Sequence, residues 1–142
     1  MTIHQLSIFI ENRSGTLIKV LDALKEANIQ IIASTIADTA EYGIYRLICS
    51  EPLRAYEELT KAGITVALSD VLALELDNTP GRAADAVSTF SKAGISIAYM
   101  YSFLLGGKGI LVFRTDNPEL ARETILQNNL KYITETDLTQ LA

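Results

Sequence analysis

Apolar and polar residues alternate from Ile3 to Ile10, which puts Leu6, Ile8 and Ile10 on one face of a strand. The spacing then becomes helical: Leu17, Leu21 and Leu24 form a stripe that would cover one face of a sheet. Ala27-Asn28 is a fitting helix end, because Asn tolerates the left-handed backbone that stops a helix. A second strand is predicted from Ile29 to about Ile36, then a turn near Asp38-Thr39-Ala40-Glu41 and a third strand from Gly43 to Cys49. Pro52 opens another helix, where its missing N–H is no loss, with Tyr56 and Leu59 inward and a closing strand over Ile64 to Leu68.

The same order then begins again. Leu72, Leu74 and Leu76 share a strand face, and Ala83, Val87 and Phe90 form the next helical stripe, ended by Ala93-Gly94. Strands over Ile95 to Phe103 and Gly109 to Thr115 are joined by Gly106-Gly107-Lys108. Asn117 caps a helix opened by Pro118 with Leu120 and Ile125 inward, and Leu130 to Thr134 closes the copy. An offset of 66 residues pairs Leu6 with Leu72, Gly15 with Gly81, Ile31 with Ile97, Gly43 with Gly109 and Pro52 with Pro118. Such a register of strand, turn, helix and hairpin marks a duplicated unit. Each copy reads βαββαβ, so the fold class is α+β: two tandem ferredoxin-like units, residues 1–69 and 70–142, with antiparallel sheets and helices on one face.

Units this small have thin cores, so each is expected to lean on another surface. With Tyr45, Leu47 and Cys49 facing the helices, alternation leaves Ile32, Ile36, Ile44 and Ile48 on the other face. That face is too apolar for water, which predicts a homodimer or closely packed repeats.

Composition narrows the chemistry. A net charge of −5 over 142 residues, with no basic run, argues against a nucleic-acid surface. The single cysteine, Cys49, cannot form an internal disulfide, and an inert core thiol is its expected state. The start Met1-Thr2-Ile3-His4-Gln5 lacks the marks of a signal peptide, and no apolar stretch approaches the roughly 20 residues that span a bilayer. A cytoplasmic protein with no membrane contact is expected. His4, the one histidine, has no metal-site spacing and no triad partners; a surface or sheet-edge place is predicted for it. Gly106-Gly107-Lys108-Gly109 lacks the frame of a phosphate loop and reads as a hairpin turn. Tyr99, Tyr101 and Phe103 alternate along one strand face, first a packing pattern. Glu57, Glu58, Glu119 and Glu123 fall on solvated helix faces, so no catalytic residue, metal or cofactor is assigned.

The informative stretch is the turn that occurs twice, Glu11-Asn12-Arg13-Ser14-Gly15-Thr16 and Asp77-Asn78-Thr79-Pro80-Gly81-Arg82. Each follows a strand and opens a helix, whose first N–H groups lack intrahelical partners and favour an anion. An amino acid offers a carboxylate to those N–H groups, around Gly15-Thr16-Leu17 or Gly81-Arg82-Ala83, and an ammonium to Asn12 or Asn78. The competing role for Asn12 and Asn78 is to cap their helices. Arg13 is placed to pair with a carboxylate or to lie in solvent.

Strand, Asn-x-x-Gly turn, helix and Ile-x-Ile strand together resemble the ACT domain, a small ligand-binding module of amino-acid metabolism. Glu11-Asn12-Arg13-Ser14-Gly15 is similar to the serine-binding turn of the regulatory domain of phosphoglycerate dehydrogenase, and Asn78-Thr79-Pro80-Gly81 fits the family's Asn-x-Pro-Gly form. The resemblance covers the chain as two ACT units. It implies a non-catalytic regulator that binds a free amino acid at an interface between ACT units and signals to an enzyme or regulator. By the same resemblance Gln30 and Ser96, where the family often has Asn, join the turn residues as ligand contacts, and Ser14 stands where Pro is usual. Leu17 and Ile18 in the first copy against Ala83 and Ala84 in the second leave more room at the second turn, which would suit an aromatic or branched amino acid there and a small one or none at the first; the competing role of the alanines is tight helix–sheet packing. The alternatives are a protein-interaction regulator, of the tandem-ACT repressor type, that works without a small ligand, and a small enzyme on the same fold.

Overall fold

The structure is a computed structural model that describes residues 1–11, 15–38, 42–77 and 79–142. Two compact units divide it, one of His4–Ser69 and one of Asp70–Ala142 together with Met1–Ile3.

In the first unit β1 (Ile3–Glu11) leads to α1 (Thr16–Glu26), then the hairpin β2 (Ile31–Asp38) and β3 (Tyr42–Cys49), then α2 (Pro52–Lys61). Antiparallel pairing sets Leu6 opposite Leu47, Ile8 opposite Tyr45 and Phe9 opposite Ile44. Leu6, Ile8, Tyr45, Leu47 and Cys49 therefore share the face that packs on Val20, Leu24, Ala55 and Leu59 of the two helices. Burying such side chains is worth roughly 1.5–3 kcal/mol each and is the main term holding the layers together.

A β-bulge corrects one expectation. Ile31 pairs with Cys49 but Ala33 pairs with Ile48, so one residue of β2 is unpaired and the alternation changes phase. Beyond the bulge Ile36 lies opposite Tyr45, on the helix-side face, and not with Ile44 and Ile48. Ile48 is itself buried within a single chain.

The strand β4 (Val66–Leu76) also differs from the sequence reading. Separate strands were expected to close the first copy and open the second. Ser69-Asp70-Val71 contains no Gly or Pro to break the extension, so one strand serves both, its residues to Ser69 belonging to the first unit and the rest to the second.

The second unit continues with α3 (Arg82–Lys92), β5 (Ile97–Leu105), β6 (Lys108–Thr115), α4 (Pro118–Gln127) and α5 (Glu135–Leu141). Leu72 pairs with Phe113 and Leu74 with Leu111, and these four pack on Ala86, Phe90, Ala121 and Ile125. Tyr99, Tyr101 and Phe103 pair with Arg114, Val112 and Ile110, on the sheet face away from the helices, and all three are half-buried. The closing strand of this copy is reduced to one bridge, Leu74 to Tyr132, flanked by Glu75 N–H to Lys131 C=O at 2.8 Å and Ile133 N–H to Ala73 C=O at 2.9 Å. Thr134 then starts a helix instead, through a capping box with Asp137.

All four long helices end alike. After α1 the Asn28 N–H bonds to Lys25 C=O and the Ile29 N–H to Leu24 C=O, with Asn28 left-handed; Gly63, Gly94 and Asn129 hold the same place after α2, α3 and α4. Pro52 and Pro118 open their helices, and Asn117 caps α4 by accepting from the Leu120 N–H at 3.2 Å. His4 is half-buried on β1, which runs between β3 and β4 and is not an edge strand. Cys49 is buried. No described helix is long and apolar enough to cross a membrane.

Candidate functional site

A cleft lies at the second turn. It measures about 400 Å³ and is lined by Leu76, Asp77, Thr79, Gly81, Arg82, Ala83, Ser102, Phe103, Leu104, Gly109, Ile110 and Leu111. The end of β4, the start of α3 and the β5–β6 hairpin supply these walls. Gly81 is the residue before α3, at φ 92°, and open space surrounds the position of a Cβ there. The left-handed backbone there is one that glycine adopts at no steric cost.

The cleft has a charged rim. Asp77 accepts from the Thr79 N–H at 3.1 Å and from Arg82 Nε at 3.1 Å, and Arg82 Nη1 donates to Asp85 at 3.1 Å. The bonds from Thr79, and then Arg82, hold the Asp77 carboxyl below its ordinary range, while Asp77 and Asp85 raise the Arg82 guanidinium further above its own. These contacts engage Nε and Nη1 of a group with five N–H donors, so the guanidinium keeps further donors. Behind the rim the lining is largely apolar, from Leu76, Ala83, Phe103, Leu104 and Leu111. Ala83, expected in the buried stripe of α3, is exposed at this cleft; Ala86 and Phe90 carry the buried face.

At the first turn Gly15 repeats the geometry of Gly81, with φ 93°, and the Thr16 hydroxyl donates to Glu11 C=O at 2.8 Å. Leu17 packs on the first core, where Ala83 stands at the matching place beside the second cleft. A cleft of about 190 Å³ lies on this unit's β1, lined by residues that include Phe9, Glu11, Thr16, Lys19 and Thr65. Asn12, Arg13, Ser14 and Asn78 lie outside the described residues. Gly15 and Gly81 occupy the helix N-cap positions.

Of the sequence-derived ligand residues, Thr79, Gly81, Arg82 and Ala83 come together at the second cleft, and Pro80 sits exposed among them. Gln30 and Ser96 do not join the turn of their own unit. Gln30 exchanges hydrogen bonds with Ser50, and Ser96 with Asp116, at the end of each sheet opposite the turn. Seven residue steps along β2 lead from Ile31 to Asp38, a span of roughly 23 Å at about 3.3 Å per step.

Asp77, Asp85, Ser102 and Leu104 were missed. Asp77 carried a signal, since Asp bonding the backbone two residues on is the Asx turn. Ser102 was the polar residue on the helix-side face between Met100 and Leu104, but only the hairpin register brings it to α3. Among the described residues no group of three or more His, Cys, Asp and Glu stands together to hold a metal.

A family model described as an ACT domain pair matches residues 1–142. No curated protein matches. The crystal structure of protein BT0572 from Bacteroides thetaiotaomicron superposes with a TM-score of 0.94 at 35% identity, over 99% of this chain and 98% of that one. The ligand-free regulatory subunit of aspartate kinase from Thermus thermophilus gives 0.59 at 18% identity, over 87% and 91%. The E. coli aspartokinase III, in complex with lysine and aspartate, gives 0.55 at 15% identity, over 92% of this chain and 32% of that one.

Proposed function

The chain belongs to the ACT domain pair family, and from that premise we propose that it is a non-catalytic regulator whose second turn holds a free amino acid with a large apolar side chain. The observation that carries this reading is the 400 Å³ cleft, with its charged rim and apolar interior. The ligand carboxylate is taken by Arg82 and the first N–H groups of α3, aided by the helix dipole. The ammonium faces Asp77. The apolar side chain lies toward Leu76, Leu104 and Leu111, where exposed Ala83 leaves room. An E. coli aspartokinase of similar fold, in complex with lysine and aspartate, supports amino acids as the ligand class.

Gln30 and Ser96 stand far from their own turns, so in this reading they serve a ligand held by a turn outside their unit, in a cytoplasmic homodimer. Sedimentation at micromolar concentration tests the dimer, and a strict monomer removes it. For the ligand, a thermal-shift screen against the proteinogenic amino acids is decisive, since a ligand that binds only the folded state raises its melting temperature. Phenylalanine, leucine or isoleucine is expected to give the largest rise. No rise with any amino acid, together with capture of a partner by the ligand-free protein, would favour the partner-only regulator.

A further inference from the structure

At three positions the duplicated units differ together. The first unit has Phe9, Tyr42 and Thr65, with the two rings 6.1 Å apart; the second has Glu75, Lys108 and Lys131 at the places 66 residues on. The backbone at these places is the same in both, for Phe9 N–H bonds to Thr65 C=O at 3.0 Å as Glu75 N–H bonds to Lys131 C=O at 2.8 Å. The fold therefore does not require the charges.

The Glu75 side chain is only 10% exposed, with Lys108 Nζ at 3.0 Å from one carboxylate oxygen and Lys131 Nζ against the other. That second oxygen is shielded from water; the Lys131 contact is short but off ideal hydrogen-bond geometry, and charge attraction is what compensates the buried oxygen. The triad lines a cleft of about 470 Å³ with Leu76, Asp77, Gly107 and Gly109. Two lysines there face two carboxylates, so the charges cancel and the cleft does not read as an anion site. Leu76, Asp77 and Gly109 also line the second-turn cleft, so both clefts share the end of β4 as a wall. Lys131 begins the segment that carries Tyr132 into the sheet and leads to α5, whose Leu141 lies close to Gly106 of the hairpin.

We propose that Glu75, Lys108 and Lys131 form a charge latch that couples the second-turn cleft to the C-terminal segment, residues 131–141. The latch holds that segment against the end of β4. A change at Asp77 and Arg82 moves the same strand end and is felt at Lys131. Its use as the output of ligand binding rests on the amino-acid reading above; the coupling itself does not.

Amide hydrogen exchange on the full chain without ligand tests the latch. Lys131→Met keeps the aliphatic stem and removes the charge, and should speed exchange across 131–141 by about tenfold while β6 amides stay slow. Glu75→Gln should do the same, and Lys61→Met, which breaks an exposed pair with Glu58 in the first unit, should leave 131–141 unchanged. Arg82→Met should also speed exchange at 131–141, but add little when Lys131→Met is already present. Unchanged exchange in Lys131→Met and Glu75→Gln, loosening of β6 along with the segment, or strictly additive effects of the Arg82 and Lys131 changes would each overturn the proposal. Absence of a thermal shift with every amino acid would remove the ligand reading and leave these outcomes standing.

Discussion

Where the first unit places Val20 and Leu24 on its core-facing helix and Leu47 on the strand beneath, the second places Ala86, Phe90 and Phe113. Volume removed at Ala86 is returned at the two rings, whose centroids lie 4.9 Å apart. One backbone thus accepts two side-chain solutions, provided that total volume is kept. The turns diverge differently: both have a left-handed glycine before the helix, but Leu17 packs on the first core while Ala83 stands exposed at a cleft. Core positions changed in compensating pairs. At the cleft wall, the smaller residue leaves space.

Truncation of the ring pair should have the largest effect. Phe90→Ala is expected to cost about 3–5 kcal/mol in urea unfolding, and Ala86→Val about 1–3 kcal/mol by overpacking. Adding Phe90→Leu should relieve part of the Ala86→Val cost, because it restores the first unit's combination. Strict additivity would show that the two positions do not compensate.

The paired hairpin glycines should separate next. A Cβ on Gly109 would lie 2.9 Å from the Leu76 carbonyl oxygen, a backbone atom, whereas on Gly43 it would meet the Ile10 side chain at 3.3 Å. Gly109→Ala should therefore cost about 1–3 kcal/mol and Gly43→Ala less than about 1 kcal/mol, read as midpoints in thermal or denaturant unfolding. Equal costs would mean that the strand end at Leu76 yields as easily as a side chain.

A smaller difference concerns acid. Lys131, then Lys108, hold the Glu75 carboxyl below its ordinary 4.5, although burial opposes them. A depressed folded-state value contributes stability that is fully present above the unfolded value and is lost as pH falls through the folded one. Denaturation of the wild type below about pH 4.5 should carry this loss. Glu75→Gln should flatten that part of the profile, and an unchanged slope would show that the latch does not bind the carboxylate more tightly than its proton.

Much of the fold was legible because periodicity reports burial: Leu6, Ile8, Tyr45 and Leu47 face the helices as their alternation requires. The phase of Ile36 was not legible, since nothing in Ile29-Gln30-Ile31-Ile32-Ala33-Ser34-Thr35-Ile36 marks where the bulge falls. Nor was the fusion of two strands into β4, which depends on the absence of a breaker. Leu130 to Thr134 read as a strand, yet the Thr134–Asp137 capping signal wins there and starts α5. At the site, Gly81, Arg82 and Ala83 were legible from the turn. The partners of that turn, Ser102 and Leu104, come from the hairpin, and only register brings them near.

Calorimetric titration of phenylalanine and glycine into the wild type and Ala83→Leu tests the central claim most directly. Burial of a large side chain is worth about 1.5–3 kcal/mol, so wild type should bind phenylalanine at least about tenfold more tightly than glycine. Ala83→Leu should weaken phenylalanine by about tenfold or more and change glycine little. Tighter binding of glycine by the wild type, or equal weakening of both by Ala83→Leu, would contradict the assignment of the second-turn cleft to a large apolar amino acid.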